Sequence, residues 1–198
     1  MYPSLPNQLT WGRIFAIPAL IAIYYVPDDW LLPATRNVLA TGLFIAAALT
    51  DLLDGWLARR YGTTSAFGAF LDPVADKLIV AAALILLVHL DRLDALVAAI
   101  IIGREITISA LREWMAQLGA SRSVAVSMLG KVKTAAQMVA IPLLLYEDPL
   151  PGGIDTLWLG TWLIWIAAAL TLWSMAYYLQ RAQRAHREAA GRGQSPAP

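Results

Sequence analysis

The sequence contains no cysteine. That excludes disulfide frameworks, thiolate catalysis and cysteine-ligated zinc. Histidine is nearly absent, with only His89 and His186. Charge is scarce as well: charged residues make up 15% of the 198 residues, and the formal net charge is +1. A nucleic-acid binder needs a concentrated basic surface, and this composition does not supply one. The start lacks the basic segment and small-residue cleavage pattern of a secretory leader, so the first apolar segment is expected to stay in the mature protein. What the chain has in excess is apolar side chain, at 59%, with a mean hydropathy of +0.58. Soluble domains sit near ~45–50% apolar and ~25% charged. Too few polar residues remain to cover a water-soluble shell, so the reading is an all-α integral membrane protein.

A membrane helix needs ~20 mostly apolar residues. Six stretches qualify, roughly 10–26, 36–59, 70–90, 94–113, 124–146 and 156–180. The breaks between them carry turn chemistry, such as Pro27-Asp28-Asp29 and Asp91-Arg92-Leu93-Asp94. Residues 1–180 are expected to form one six-helix transmembrane domain, opened by a short interfacial segment at residues 1–9. Residues 181–198 are expected to form a basic tail in which a helix end frays. Basic residues mark the cytoplasmic side. With both termini there, that side holds eleven, including Arg13, Arg59, Arg60, Arg112, Lys131 and Lys133, while the far side holds only Arg36 and Arg92. Trp11, Trp30, Trp114 and Trp158 fall near span ends, where interfacial anchoring accounts for them.

Four aspartates stand out. Asp51 and Asp54 share one helical face with Gly55 and Ala58; Gly68, Asp72 and Asp76 share a face of the next helix. An ionised aspartate in hydrocarbon costs at least ~2.5–3.5 kcal/mol on insertion scales, so the four must face each other, a cation or water. A short connection makes the two helices antiparallel neighbours, which brings the four carboxylates together near the cytoplasmic end. An oxygen-only set of this kind suits Mg²⁺ or Mn²⁺, and four negative charges fit two ions better than one. Structural ion pairing is the competing account, but few basic residues lie on the same two helices. Gly55, Ala58 and Gly68 fit helix packing as well as an open approach for a flat ligand. Pro73 either opens or kinks the helix beside Asp72. A cation transporter would continue the polar path, yet Leu78 to Leu87 is wholly apolar. That dead end favours a one-sided catalytic pocket. Arg104 and Glu105 lie mid-span, and Arg104, Ile108 and Arg112 form a stripe towards the cytoplasmic mouth. Arg104, Arg112, Lys131 and Lys133 are the candidates for holding a phosphate, with positive-inside anchoring as the alternative for the lysines and a structural pair with Glu105 or another carboxylate as the alternative for Arg104.

The run from Asp51 to Asp76 reads D-x-x-D-G-x-x-A-R, eight residues, then G-x-x-x-D-x-x-x-D. It resembles the signature of the CDP-alcohol phosphatidyltransferase family at every fixed position. Pro6–Thr10, Phe67–Lys77, Arg104–Ala116, Ser123–Ser127, Gly130–Thr134 and Leu170–Met175 are similar to bacterial members that use glycerol 3-phosphate as acceptor. The resemblance implies six membrane helices, commonly as a homodimer in the bacterial cytoplasmic membrane, with a two-metal site open to the cytoplasm. It implies transfer of a phosphatidyl group from CDP-diacylglycerol to sn-glycerol 3-phosphate, with release of CMP. It assigns Asp51, Asp54, Asp72 and Asp76 to the metals, with Asp76 also as general base. It assigns Asp54, Gly55, Ala58, Arg59 and Gly68 to CDP-diacylglycerol. The signature alone leaves other acceptors open, such as serine or inositol phosphate.

Overall fold

In the computed structural model, the described residues are 5–61, 66–117 and 128–192. Within them, the side chains at 5–9, 52, 54–61, 66–70, 112, 128–131 and 181–192 are not described. The described residues form six α-helices and no strand: α1 (Leu5–Tyr25), α2 (Pro33–Tyr61), α3 (Ala66–His89), α4 (Ala95–Gln117), α5 (Met128–Tyr146) and α6 (Thr156–Arg192). Each expected apolar stretch contains the body of one helix. Two ends run further than the sequence implies. Helix α1 begins at Leu5, so the expected interfacial segment is in part the first turn of the span helix. Helix α6 continues past Arg181 to Arg192.

Local chemistry sets several ends. Pro33 opens α2, where its missing N–H is no loss. Asp94 accepts from the Leu96 amide at 2.8 Å and Asp155 from the Trp158 amide at 3.0 Å, capping the starts of α4 and α6. The reversal after α5 places Glu147 at φ 65 and Gly152 and Gly153 at φ 101 and 78. Helix α3 runs through Pro73 without a break in its assignment, which answers the question that residue raised.

Helix α1 packs on α2 and α3, while α6 packs on α4 and α5. All six contribute to one core, through residues such as Leu20, Phe44, Leu84, Ile101, Leu144 and Ile164. Gly160 lets α6 pack tightly on α5: a Cβ there would sit 2.9 Å from Leu144 Cγ. Thr156–Gln180 is the one helix among the described residues long and apolar enough by composition to cross a bilayer; Thr10–Tyr25 and Val132–Tyr146 are shorter apolar stretches. Large apolar side chains point outwards across the bundle, among them Trp173 at 70% and Ile106 at 65% exposure.

One end of the bundle is tied by Arg92. Its guanidinium donates to the Leu145 carbonyl at 2.9 Å, to Asn37 Oδ1 at 3.1 Å and to the Glu147 carboxylate. Asn37 also accepts from the Tyr24 hydroxyl at 3.1 Å. Three helices, α1, α2 and α5, and two turns are therefore tied together around one cation. Arg92→Ala should cost about 1–3 kcal/mol: the carbonyl of buried Leu145 loses this donor, while Glu147, 41% exposed, is screened by water. Activity per folded molecule should hold, because this end lies away from Asp76. Thermal unfolding combined with a specific-activity assay checks both.

Candidate active site

The other end holds the acidic cluster. Helix α1 delivers Thr10 and Arg13 at i and i+3, on one face. Arg13 is 2% exposed. Its NH1 donates to Asp51 Oδ1 on α2 at 2.5 Å, and its NH2 reaches Asp72 Oδ1 on α3 at 3.3 Å. The Thr10 hydroxyl donates to the same Asp72 oxygen. Carboxylates from two helices thus converge as the aspartate spacing implies. The cation between them comes from a third helix, which a search confined to α2 and α3 does not find. Asp76 is half-buried one turn beyond Asp72, and its chain neighbour Lys77 reaches across to α4.

Lys77 connects the cluster to α4 through Ser109, and Glu105 carries the connection on to α5. Glu105 Oε1 accepts from Lys133 Nζ at 2.5 Å and from Arg104 NH1 at 3.0 Å. Lys133 is 1% exposed and Arg104 7%. Arg104 NH2 also reaches Ser174 Oγ on α6 at 3.4 Å. Lys77, on α3 next to Asp76, donates to Ser109 Oγ at 2.5 Å, and Ser109 donates to the Glu105 carbonyl at 2.6 Å. Behind this layer Ile108, Met115 and Tyr178 form a small apolar cluster that fixes α4 against α6.

Of the four candidate phosphate cations, the fold brings Arg104 and Lys133 together on one carboxylate. The side chains of Arg112 and Lys131 lie outside the described residues. Four participants carried no site role in the sequence: Thr10, Arg13, Lys77 and Ser109. A signal existed for the first two, since an arginine and a threonine three residues apart inside an apolar run share a face.

A family model described as CDP-alcohol phosphatidyltransferase matches residues 3–173. The chain belongs to that family. It is 47% identical over 182 residues to a Salmonella choleraesuis (strain SC-B67) protein named CDP-diacylglycerol–glycerol-3-phosphate 3-phosphatidyltransferase. The match covers 91% of this chain and 95% of that relative. A protein of the same name from Escherichia coli (strain K12) is also 47% identical over 182 residues, with the same shares covered.

The family signature spans Asp51 to Asp76. The side chains of Asp54, Gly55, Ala58, Arg59 and Gly68 lie outside the described residues, and among the described residues no group of three or more acidic, histidine or cysteine side chains is arranged to hold a metal ion. Asp51 and Asp72 offer carboxylate oxygens, the donor chemistry a divalent cation takes, and in this structure one oxygen of each is engaged by the Arg13 guanidinium, with the Thr10 hydroxyl also on Asp72.

Proposed function

We propose that this protein is a multi-pass enzyme of the bacterial cytoplasmic membrane that transfers the phosphatidyl group from CDP-diacylglycerol to sn-glycerol 3-phosphate, releasing CMP. The relatives' shared name supports the substrates, and one geometric observation carries the reading for this chain. The carboxylates of α2 and α3 are joined to the buried Arg104–Lys133 pair by a short relay: Lys77, next to Asp76, donates to Ser109, Ser109 donates to the Glu105 carbonyl, and the Glu105 carboxylate holds Arg104 and Lys133. A base and a phosphate receptor side by side suit an alcohol that carries its own phosphate.

Asp51, Asp54, Asp72 and Asp76 would hold two divalent cations, Mg²⁺ or Mn²⁺. Such ions supply charge neutralisation at the diphosphate and polarise the phosphorus under attack. The chain's own groups do the rest. Arg104 and Lys133 take the acceptor's phosphate, with Arg112 and Lys131 as the further candidates the sequence offers. Asp76 accepts the proton of the acceptor's primary hydroxyl. That oxygen forms a bond to the phosphorus bearing diacylglycerol. The bond from this phosphorus to the oxygen bridging to CMP breaks, and CMP leaves with the electron pair. Asp54, Gly55, Ala58, Arg59 and Gly68 line the cytidine diphosphate pocket.

Residues 1–180 are read as the six-span catalytic domain and 181–198 as a cytoplasmic tail. Helices of 19 to 37 residues, at ~1.5 Å per residue, reach across a ~30 Å core. The exposed Trp11 and Trp114 near the site end, and Trp30 and Trp158 near the other, match two interfacial belts. The outward apolar faces of α3 and α4, with Leu78, Ile85 and Ile106, offer surface for a homodimer.

The deciding assay is CMP release from CDP-diacylglycerol by the purified protein. CMP should appear only with both glycerol 3-phosphate and Mg²⁺ or Mn²⁺, and chelation should lower the rate at least ~100-fold. Full speed in excess chelator, or release that ignores glycerol 3-phosphate, would overturn the reading.

A further inference from the structure

We propose that Glu105 is a positioning residue of the acceptor site: its carboxylate sits on Arg104 and Lys133 where the acceptor's phosphate must bind, and the two anions exchange there. This rests on the reading above that Arg104 and Lys133 receive that phosphate.

Three features carry it. First, one carboxylate oxygen collects both cations, from two different helices, at 2.5 and 3.0 Å. That is the contact a phosphate oxygen would make. Second, Arg104 is not saturated. Its Nε is buried with no hydrogen-bond partner among the described residues, and its NH2 makes only the 3.4 Å contact to Ser174. A guanidinium fork with spare donors matches a tetrahedral anion better than one carboxylate oxygen. Third, Glu105 is the member of the triad able to withdraw. The Lys133 and Arg104 side chains are 1% and 8% exposed, whereas Glu105 is 28% exposed.

A destination for the displaced carboxylate is at hand. Glu105 and Lys77 both border a cavity of about 120 Å³ that is otherwise lined by apolar side chains such as Leu84 and Ile101, so the charged neighbour on that side is Lys77. The Lys77 ammonium is held at its Ser109 end, and Ser109 is bonded to the Glu105 backbone. Turning from Arg104 and Lys133 towards Lys77 would trade one ion pair for another and leave no charge stranded. The pair is thereby kept aligned before the acceptor arrives, and weak anions must compete with a built-in one.

The test is steady-state kinetics on the full-length enzyme. Glu105→Gln should lower the KM for glycerol 3-phosphate and the inhibition constant of inorganic phosphate together, each by about tenfold, as removal of one charge-assisted competitor implies. The KM for CDP-diacylglycerol should not move. Glu105→Asp, which keeps the charge but shortens its reach, should shift both constants the same way by less. It decides the matter if the glutamine variant does not fold. Unchanged or raised constants in a folded variant overturn the exchange. Lys133→Met separates the two levels of inference. If it leaves phosphate inhibition intact, the acceptor reading itself fails; if it raises both constants while Glu105→Gln leaves them alone, only the role of Glu105 falls.

Discussion

Replacing Asp76 with asparagine should lower turnover by roughly 10²–10⁴-fold, the range a positioned general base contributes. The amide matches the carboxylate in size but does not accept a proton from an alcohol. Asp76 lies one turn from Asp72, half-buried, in a helix whose packing uses other residues: Ala75, Ile79 and Val80 face the core. The variant should therefore unfold near the wild-type temperature. Raising Mg²⁺ separates the two duties assigned to this residue. A lost metal ligand is offset by more metal, whereas a lost base is not. A folded Asp76→Asn enzyme with turnover close to wild type would remove Asp76 from the chemistry.

Arg13→Gln should have the second-largest effect. The guanidinium is almost fully enclosed and bridges Asp51 and Asp72, which are themselves about 40% and 35% exposed. Removing the positive charge leaves two carboxylates facing each other beside a buried amide. The cost should be about 1–3 kcal/mol, below that of a fully enclosed pair because water screens the aspartates. The unfolding midpoint in detergent should drop by several degrees. Turnover should fall as well, because α2 and α3 lose the contact that holds their carboxylates in register. Arg13→Lys should recover part of both losses, since lysine restores the charge but not the two-pronged reach. Wild-type stability and Mg²⁺ dependence in Arg13→Gln would show that α1 does not hold the cluster together.

Much of this was legible in the sequence. Apolar stretches separated by turn residues determined the number and place of the helices, because a ~20-residue apolar run has few other uses. Helical periodicity determined that Asp51 shares a face with Asp54, and Asp72 with Asp76. The match at each signature position pointed to the family that the comparisons then showed. Periodicity also put Arg104 and Ile108 on one face of α4; that both are buried there is the structure's finding.

The tertiary structure alone decided what stands opposite each face. Arg13 meets partners 38 and 59 residues away, and Lys133 meets Glu105 at a separation of 28. Spacing within a helix says which side chains travel together, because 3.6 residues make a turn. It says nothing of which neighbour they meet, since that depends on how side-chain ridges of separate helices fit one another. Few basic residues on α2 and α3 argued against ion pairing of the aspartates; the packing of α1 across both helices supplied the missing cation.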